Sequence, residues 1–273
     1  MLNFIVSESK CTSCRACVTD CPAMIIELED RIPFIKPENE KKCYKCQHCL
    51  AICPTAAVSI LGVDPETCVS PDKAAGFEQV DALIRTRRSV RRFKNADVDA
   101  ATMDKIAKAA ANAPTGKNDH QVQLVVVDSR EQMNKFKEMV ISIIEKADKE
   151  GRLDEHSAIF AVMARHFRNG KDIIFRGAPH IMFSVTPKSA PTPVADGFIA
   201  LSYAELAAGS LNIGTVWAGF VMWLVAAFPE ILTNIGIDDD MQVSYALLFG
   251  EPAIKYYRGV KRDEITVRKV NLS

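Results

Sequence analysis

The clearest periodic stretch follows Asp99, where Met103, Ile106, Ala107 and Ala110 recur at the spacing of one helical face. Asp99 stands where a helix cap is expected, and Pro114 ends the segment because proline lacks an N–H and clashes with the preceding turn. A second helix is predicted from Arg130, with Met133, Phe136, Val140 and Ile144 in register. Between the two helices, Val122–Val127 is apolar and mostly β-branched apart from Gln123, and reads as a buried strand. His180–Val185 and Val243–Phe249 read as strands too, and the alanine-rich stretch 195–213 reads as a buried helix. Residues 145–175 are more polar and read as a helical insertion or lid. Strands mixed with helices over 79–273 predict an α+β or α/β domain.

Before residue 79 the texture changes. Residues 63–78 carry Pro65, Pro71 and Gly76 with little periodicity and read as a linker. Residues 1–62 hold an internal repeat: Cys11-Thr-Ser-Cys14-Arg-Ala-Cys17-Val-Thr-Asp-Cys21-Pro22 recurs as Cys43-Tyr-Lys-Cys46-Gln-His-Cys49-Leu-Ala-Ile-Cys53-Pro54. Each copy leads into a short apolar run, Met24–Ile26 and Ala57–Leu61. Neither copy can bury a core alone, so the two are expected to pack together about a pseudo-twofold.

Composition narrows the function classes. The chain has 273 residues and balances 34 Lys and Arg against 34 Asp and Glu, so it offers no net field to a nucleic acid or an anionic membrane. The start, MLNFIVSESK, lacks the basic residues and long apolar run of a secretory leader. The longest apolar stretch, Trp217 to Phe228, is too short to span a bilayer and reads as buried or site-lining. The expectation is a cytoplasmic protein with no membrane span and no nucleic-acid partner.

Eight of the nine cysteines lie between Cys11 and Cys53. A disulfide scaffold belongs to short secreted chains, and paired C-x-x-C units can also hold zinc. Zinc needs no third and fourth cysteine at these spacings. Iron–sulfur clusters do, because four soft thiolates must surround each cube. Each run has the form C-x₂-C-x₂-C-x₃-C-P. In two-cluster ferredoxins the last cysteine of each such run serves the other cluster. On that pattern one cluster takes Cys11, Cys14, Cys17 and Cys53, and the other takes Cys43, Cys46, Cys49 and Cys21. Residues 1–62 thus resemble a bacterial two-cluster [4Fe–4S] ferredoxin. Cys68 falls outside both runs and reads as a partly buried free thiol.

Five arginines occupy the eight positions from Arg85 to Arg92. Such a run can be a solvated helix face or a nucleic-acid patch, or it can hold a phosphate through guanidinium forks and the Ser89 hydroxyl. Arg87-Arg88-Ser89-Val90-Arg91-Arg92-Phe93 resembles the opening motif of the FMN-dependent nitroreductase family. Three further segments resemble that family in order: Ala113–Gln121, Ala204–Trp217, and Phe249-Gly250-Glu251-Pro252. The first of these departs from the family by placing Gln121 and Val122 where Pro-Trp follows glutamine, and His120 where glutamine is common.

The resemblance implies an α/β nitroreductase fold over 79–273, with a central, mostly antiparallel sheet flanked by helices, in an interlocked homodimer. It implies that Arg87, Arg88, Ser89 and Arg91 hold the FMN phosphate and ribityl groups, completed by Lys261 or Arg262. Pro114, Thr115 and Asn118 would reach the flavin from the partner subunit. Trp217, Ala218 and Gly219 would line the reactive ring face and supply a backbone N–H near flavin N5. No side chain stands out as a catalytic acid: His120, Arg165 and His166 read as loop or surface residues, and Met222 and Trp223 as the interior of an apolar helix.

Together the two resemblances imply an oxidoreductase. An external low-potential donor would load two [4Fe–4S] clusters, the clusters would load FMN, and a small organic acceptor such as a nitroaromatic or quinone would take the electrons. The clusters imply an anaerobic setting. An electron-transfer subunit serving a protein partner, or a reductive dehalogenase-type flavoenzyme, would use the same parts.

Overall fold

The structure, a computed structural model, describes residues 2–272. The chain divides into two compact units: Met1–Ala75 with Gly116–Asp119, and Gly76–Thr115 with His120–Ser273. Among the described residues no helix is long and apolar enough to cross a membrane.

The first unit is built twice over. In chain order it comprises β1 (Ile5–Val6), α1 (Ala16–Thr19), β2 (Ile26–Glu29), β3 (Ile32–Ile35), α2 (His48–Ala51) and β4 (Val58–Ser59). β2 and β3 form an antiparallel hairpin, and β1 pairs antiparallel with β4, which ties the first half to the second. Leu2, Ile25, Ile26, Leu50, Val58 and Ile60 form its small core together with Cys17 and Cys49. Before Pro65 the linker continues from Ile60, which bridges Val63, and two short 3₁₀ turns at Pro65–Thr67 and Pro71–Lys73 follow, each capped by the side chain just before it, Asp64 and Ser70. Cys68 is exposed rather than partly buried. Its thiol points to the Asp64 carbonyl, 3.8 Å away.

The second unit comprises α3 (Phe77–Thr86), α4 (Ala100–Ala110), β5 (Gln123–Val127), α5 (Arg130–Lys149), α6 (Ala158–Arg168), β6 (His180–Pro187), α7 (Pro193–Ser210), β7 (Gly214–Trp217), α8 (Gly219–Ala227), α9 (Glu230–Thr233) and β8 (Met241–Gly250). The four strands form one antiparallel sheet in the order β5-β6-β8-β7, with helices flanking it. α4 starts where the pattern placed it: the Asp99 carboxylate accepts from the Thr102 N–H at 2.9 Å and satisfies one of the orphan amides of the first turn. Ile106 and Ala110 are buried against Leu201, Ala204, Met182 and Leu247. α7 packs one face on α4 and the sheet, burying Ala200, Leu201, Ala204 and Ala208. Burial of each large aliphatic side chain there stabilises the fold by about 1.5–3 kcal/mol before entropy is counted.

Residues 145–175, read as a lid or insertion, instead supply core. α5 runs on to Lys149, and Phe160, Met163, Ala164, Ile174 and Phe175 are buried with Met133, Phe136 and Ile144. Their polar positions form the outer face, where Arg168 pairs with Glu138 and Glu145. A charged outer stripe diluted the apolar one, which is why the segment looked irregular.

Candidate functional site

In the first unit the repeat is visible residue by residue in the backbone. Ser13 and Arg15 adopt positive φ (57° and 67°), and so do their counterparts Lys45 and Gln47 (54° and 59°). These left-handed residues turn the loop so that the first three cysteines of each run line one cavity. Cys11, Cys14, Cys17 and Cys53 line one cavity, and Cys21, Cys43, Cys46 and Cys49 line another. The two cavities are equal in volume, about 20 Å³ each. Each cavity is lined by three cysteines of one repeat and one of the other.

The donor set fits a cube of iron and sulfide better than a single ion. Backbone amides already point at the sulfurs: Lys45 N–H donates to Cys43 Sγ at 3.3 Å and Ala57 N–H to Cys53 Sγ at 3.2 Å. Burial pushes the Cys49 thiol up to about 12 and raises Cys17 and Cys43 as well. At Cys53 burial also acts upward, but the hydrogen bonds from Thr55, Ala57 and Val58 together bring the thiol below its ordinary value. Thiols this buried become thiolates only against a cationic centre.

In the second unit Arg85 lies in the last turn of α3, and the rest of the arginine run is chain laid beside the sheet. Ser89 bridges Thr215 of β7, Val90 N–H donates to the Thr215 carbonyl at 2.8 Å, and Lys94 N–H and Ala253 N–H link residues 92–94 to 251–253. The run is split between two cavities. Arg87, Arg88 and Val90 line a cavity of about 670 Å³ together with Lys94, Gly214 and Thr215. Val90 packs so closely on β7 that a Cβ at Gly214 would lie 2.6 Å from it. Arg91 lies instead in a second cavity, of about 530 Å³, with Trp217, Ala218 and Gly219. The structure therefore brings Arg87 with Arg88, and Arg91 with the ring-face candidates.

Arg87 is held by a residue the motif comparison passed over. Glu205, buried on α7, accepts from Arg87 Nη1 at 2.9 Å and from Thr215 Oγ1 at 3.2 Å through the same oxygen. A carboxylate within the apolar Ala204–Ala208 stretch was the available signal.

The second cavity is apolar and aromatic. Trp217, Phe220, Trp223 and Tyr245 form its walls, with Met222 beside them. Met222 and Trp223 thus face a cavity rather than a helix interior, and Trp223 is 60% exposed. Ala218 N–H is taken by the Ala246 carbonyl at 2.9 Å. The amides left without a partner by helix geometry are those opening α8, beginning with Gly219. Arg176, which no motif marked, also lines this cavity.

The remaining expected residues lie elsewhere. Thr115 Oγ1 accepts from His120 N–H at 3.0 Å and lines a separate cavity among Ala107, Ala110 and Leu124. Pro114 is exposed. Asn118 Nδ2 donates to the Tyr44 carbonyl at 2.9 Å, between Cys43 and Cys46. Lys261 and Arg262 are on the exposed C-terminal stretch, which passes α3 at Gly259, where a Cβ would sit 2.9 Å from the Arg85 carbonyl. The lining of the Arg87–Arg88 cavity reaches only to Tyr256.

A four-stranded antiparallel sheet wrapped by helices, an arginine-lined groove, an aromatic cavity and two four-cysteine nests define an oxidoreductase of the FMN-dependent kind joined to a ferredoxin-like segment. The chain belongs to the nitroreductase family: residues 84–251, more than half of it, match that family. Residues 10–58 match the 4Fe-4S dicluster domain. Among solved structures, the chain is similar to a nitroreductase with bound FMN from Bacteroides fragilis (22% identity, 70% of this chain and 99% of that one, TM-score 0.56). It is also similar to a nitroreductase with bound FMN from Desulfitobacterium hafniense (22% identity, 71% and 100%, TM-score 0.55). An iodotyrosine deiodinase bound to FMN and 3-iodo-L-tyrosine shares the fold at 20% identity, with 71% and 100% covered and a TM-score of 0.51. No curated protein sequence matches.

Proposed function

We propose that this chain, as a homodimer in an anaerobic cytoplasm, passes electrons from two [4Fe–4S] clusters to one FMN per chain and on to a small organic acceptor. The observation that carries the reading is the sorting of eight cysteines into two separate cavities of four, on the same chain as an aromatic cavity edged by arginine.

Bound FMN would exchange electrons singly with the clusters and in pairs with an acceptor, and that chemistry belongs to the cofactor. The chain's part is to bind, orient and exclude water. Arg87, Arg88 and Ser89 hold the phosphate and ribityl groups, with Lys261 or Arg262 brought in on assembly. Arg91 faces the ring's polar edge. Trp217, Ala218 and Gly219 lie along the ring, and the free amide that opens α8 at Gly219, at the positive end of the helix dipole, stabilises negative charge there. Pro114, Thr115 and Asn118 reach the flavin of the other subunit. Cys11, Cys14, Cys17 and Cys53 hold one cluster, and Cys21, Cys43, Cys46 and Cys49 the other.

Anaerobic stopped-flow mixing with a reduced low-potential carrier tests the direction of flow. Cluster absorbance bleaches before flavin absorbance on this reading. Flavin bleached by NADH while the clusters stay oxidised would reverse it.

A further inference from the structure

The aromatic cavity contains a cation that the flavin reading does not use. Arg176 adopts a left-handed backbone (φ 57°) in a turn fixed on both sides by one carboxylate. Asp172 accepts from the N–H of Phe175 at 2.7 Å and from that of Gly177 at 2.9 Å. Phe175 and Ala178 are fully buried, so the turn is anchored and the arginine between them is projected outward. Its guanidinium lies over the Phe220 ring, 5.8 Å from the centroid, and is half-buried at the cavity wall.

Arg91 and Arg176 are the charged residues of this lining, and it contains no acid. Asp172, the nearest carboxylate along the chain, is engaged by the two amides and faces Lys137 at 3.5 Å. Among the described residues Arg176 forms no ion pair. A guanidinium held over a phenyl ring at an apolar wall loses part of its hydration and gains most from an oxyanion that accepts two parallel N–H bonds. Arg91 has its role at the flavin, which leaves Arg176 to meet whatever stacks beside it.

We infer that Arg176 selects the acceptor: the cavity takes a planar aromatic molecule carrying a carboxylate, with the ring against the wall that Trp217, Phe220 and Trp223 line and the carboxylate on the Arg176 guanidinium. The inference rests on the flavin reading, because it assigns Arg91 to the cofactor.

The test uses anaerobically prepared, FMN-loaded full-length protein, with flavin content measured first. Isothermal titration compares 1-naphthoate with 1-naphthamide, which share a shape and differ in charge. Wild type should bind the naphthoate about tenfold or more tighter, the size of a charge-assisted hydrogen bond. Arg176→Gln should abolish that preference without changing naphthamide affinity, and Arg176→Lys should keep part of it, so a folding defect in one variant leaves the other to decide. Equal affinity for both probes in wild type, or an unchanged preference in both variants, overturns the assignment. Absence of bound flavin overturns the functional reading itself.

Discussion

One carboxylate oxygen of Glu205 accepts from both Arg87 and Thr215, so the side chain that the family motif assigns to phosphate is oriented by a buried carboxylate on α7. Removing that anchor should act on the phosphate and not on the ring. Glu205→Ala is expected to weaken FMN binding about tenfold while riboflavin binding stays as it was, a split that equilibrium dialysis with both flavins reads directly. A change of equal size for both would mean that Glu205 only supports the fold. His180 is the second residue whose environment makes a prediction. It is fully buried, stacked on Phe249 with centroids 5.0 Å apart, and its Nε2 accepts from Val98 N–H at 2.9 Å. Burial lowers its pKa from the ordinary 6.5, against the smaller pull of the Val127 carbonyl, Asp97 and Asp128. A histidine depressed in the folded state is neutral above 6.5 in both states, so stability is full there and falls as pH drops below 6.5, where the unfolded chain binds the proton first. Melting temperature followed from pH 7.5 to 5 should therefore fall in wild type, and His180→Gln should flatten that part of the curve.

The elements show what could and could not be read in advance. The cysteine loops were fully legible, because ligand spacing is local and the left-handed residues at Ser13, Arg15, Lys45 and Gln47 recur with the repeat. α4 was legible from its cap and its apolar face, and β6 and β8 from their apolar runs. β7 was legible only through its likeness to a family segment, since four residues carry too little periodicity. The parting of Arg88 from Arg91 was hidden, because it depends on the run lying beside β7 rather than coiling as a helix. Arg176 was hidden for a related reason: a lone arginine in a polar stretch gains meaning only once Phe220 and Trp217 are seen beside it. The tight seat of Val90 on β7 gives an expectation at this scale. Gly214→Ala would press a methyl into Val90 and should cost about 1–3 kcal/mol in chemical unfolding, and a smaller residue at position 90, in Val90→Ala with Gly214→Ala, should recover part of it. Loss of the cap in Asp99→Ala should cost about 1 kcal/mol by the same measurement.

For the whole molecule, each of the two units has its own core and its own set of cofactor-competent residues. Electron transfer within one chain follows only if both sets are filled at once. The cross-pairing of the cysteines bears on this, because on the proposed reading each cluster would draw its fourth ligand from the other repeat. Cys21→Ala should therefore lower the cluster that Cys43, Cys46 and Cys49 bind, and leave the one bound by the adjacent Cys11, Cys14 and Cys17. Paramagnetic resonance of the reduced protein should then show one uncoupled cluster signal in place of two interacting ones.

The most direct measurement is a count of iron, acid-labile sulfide and flavin in protein purified without oxygen. About eight irons, eight sulfides and one FMN per chain are expected. Colourless protein, or protein carrying zinc and no flavin, would contradict the account.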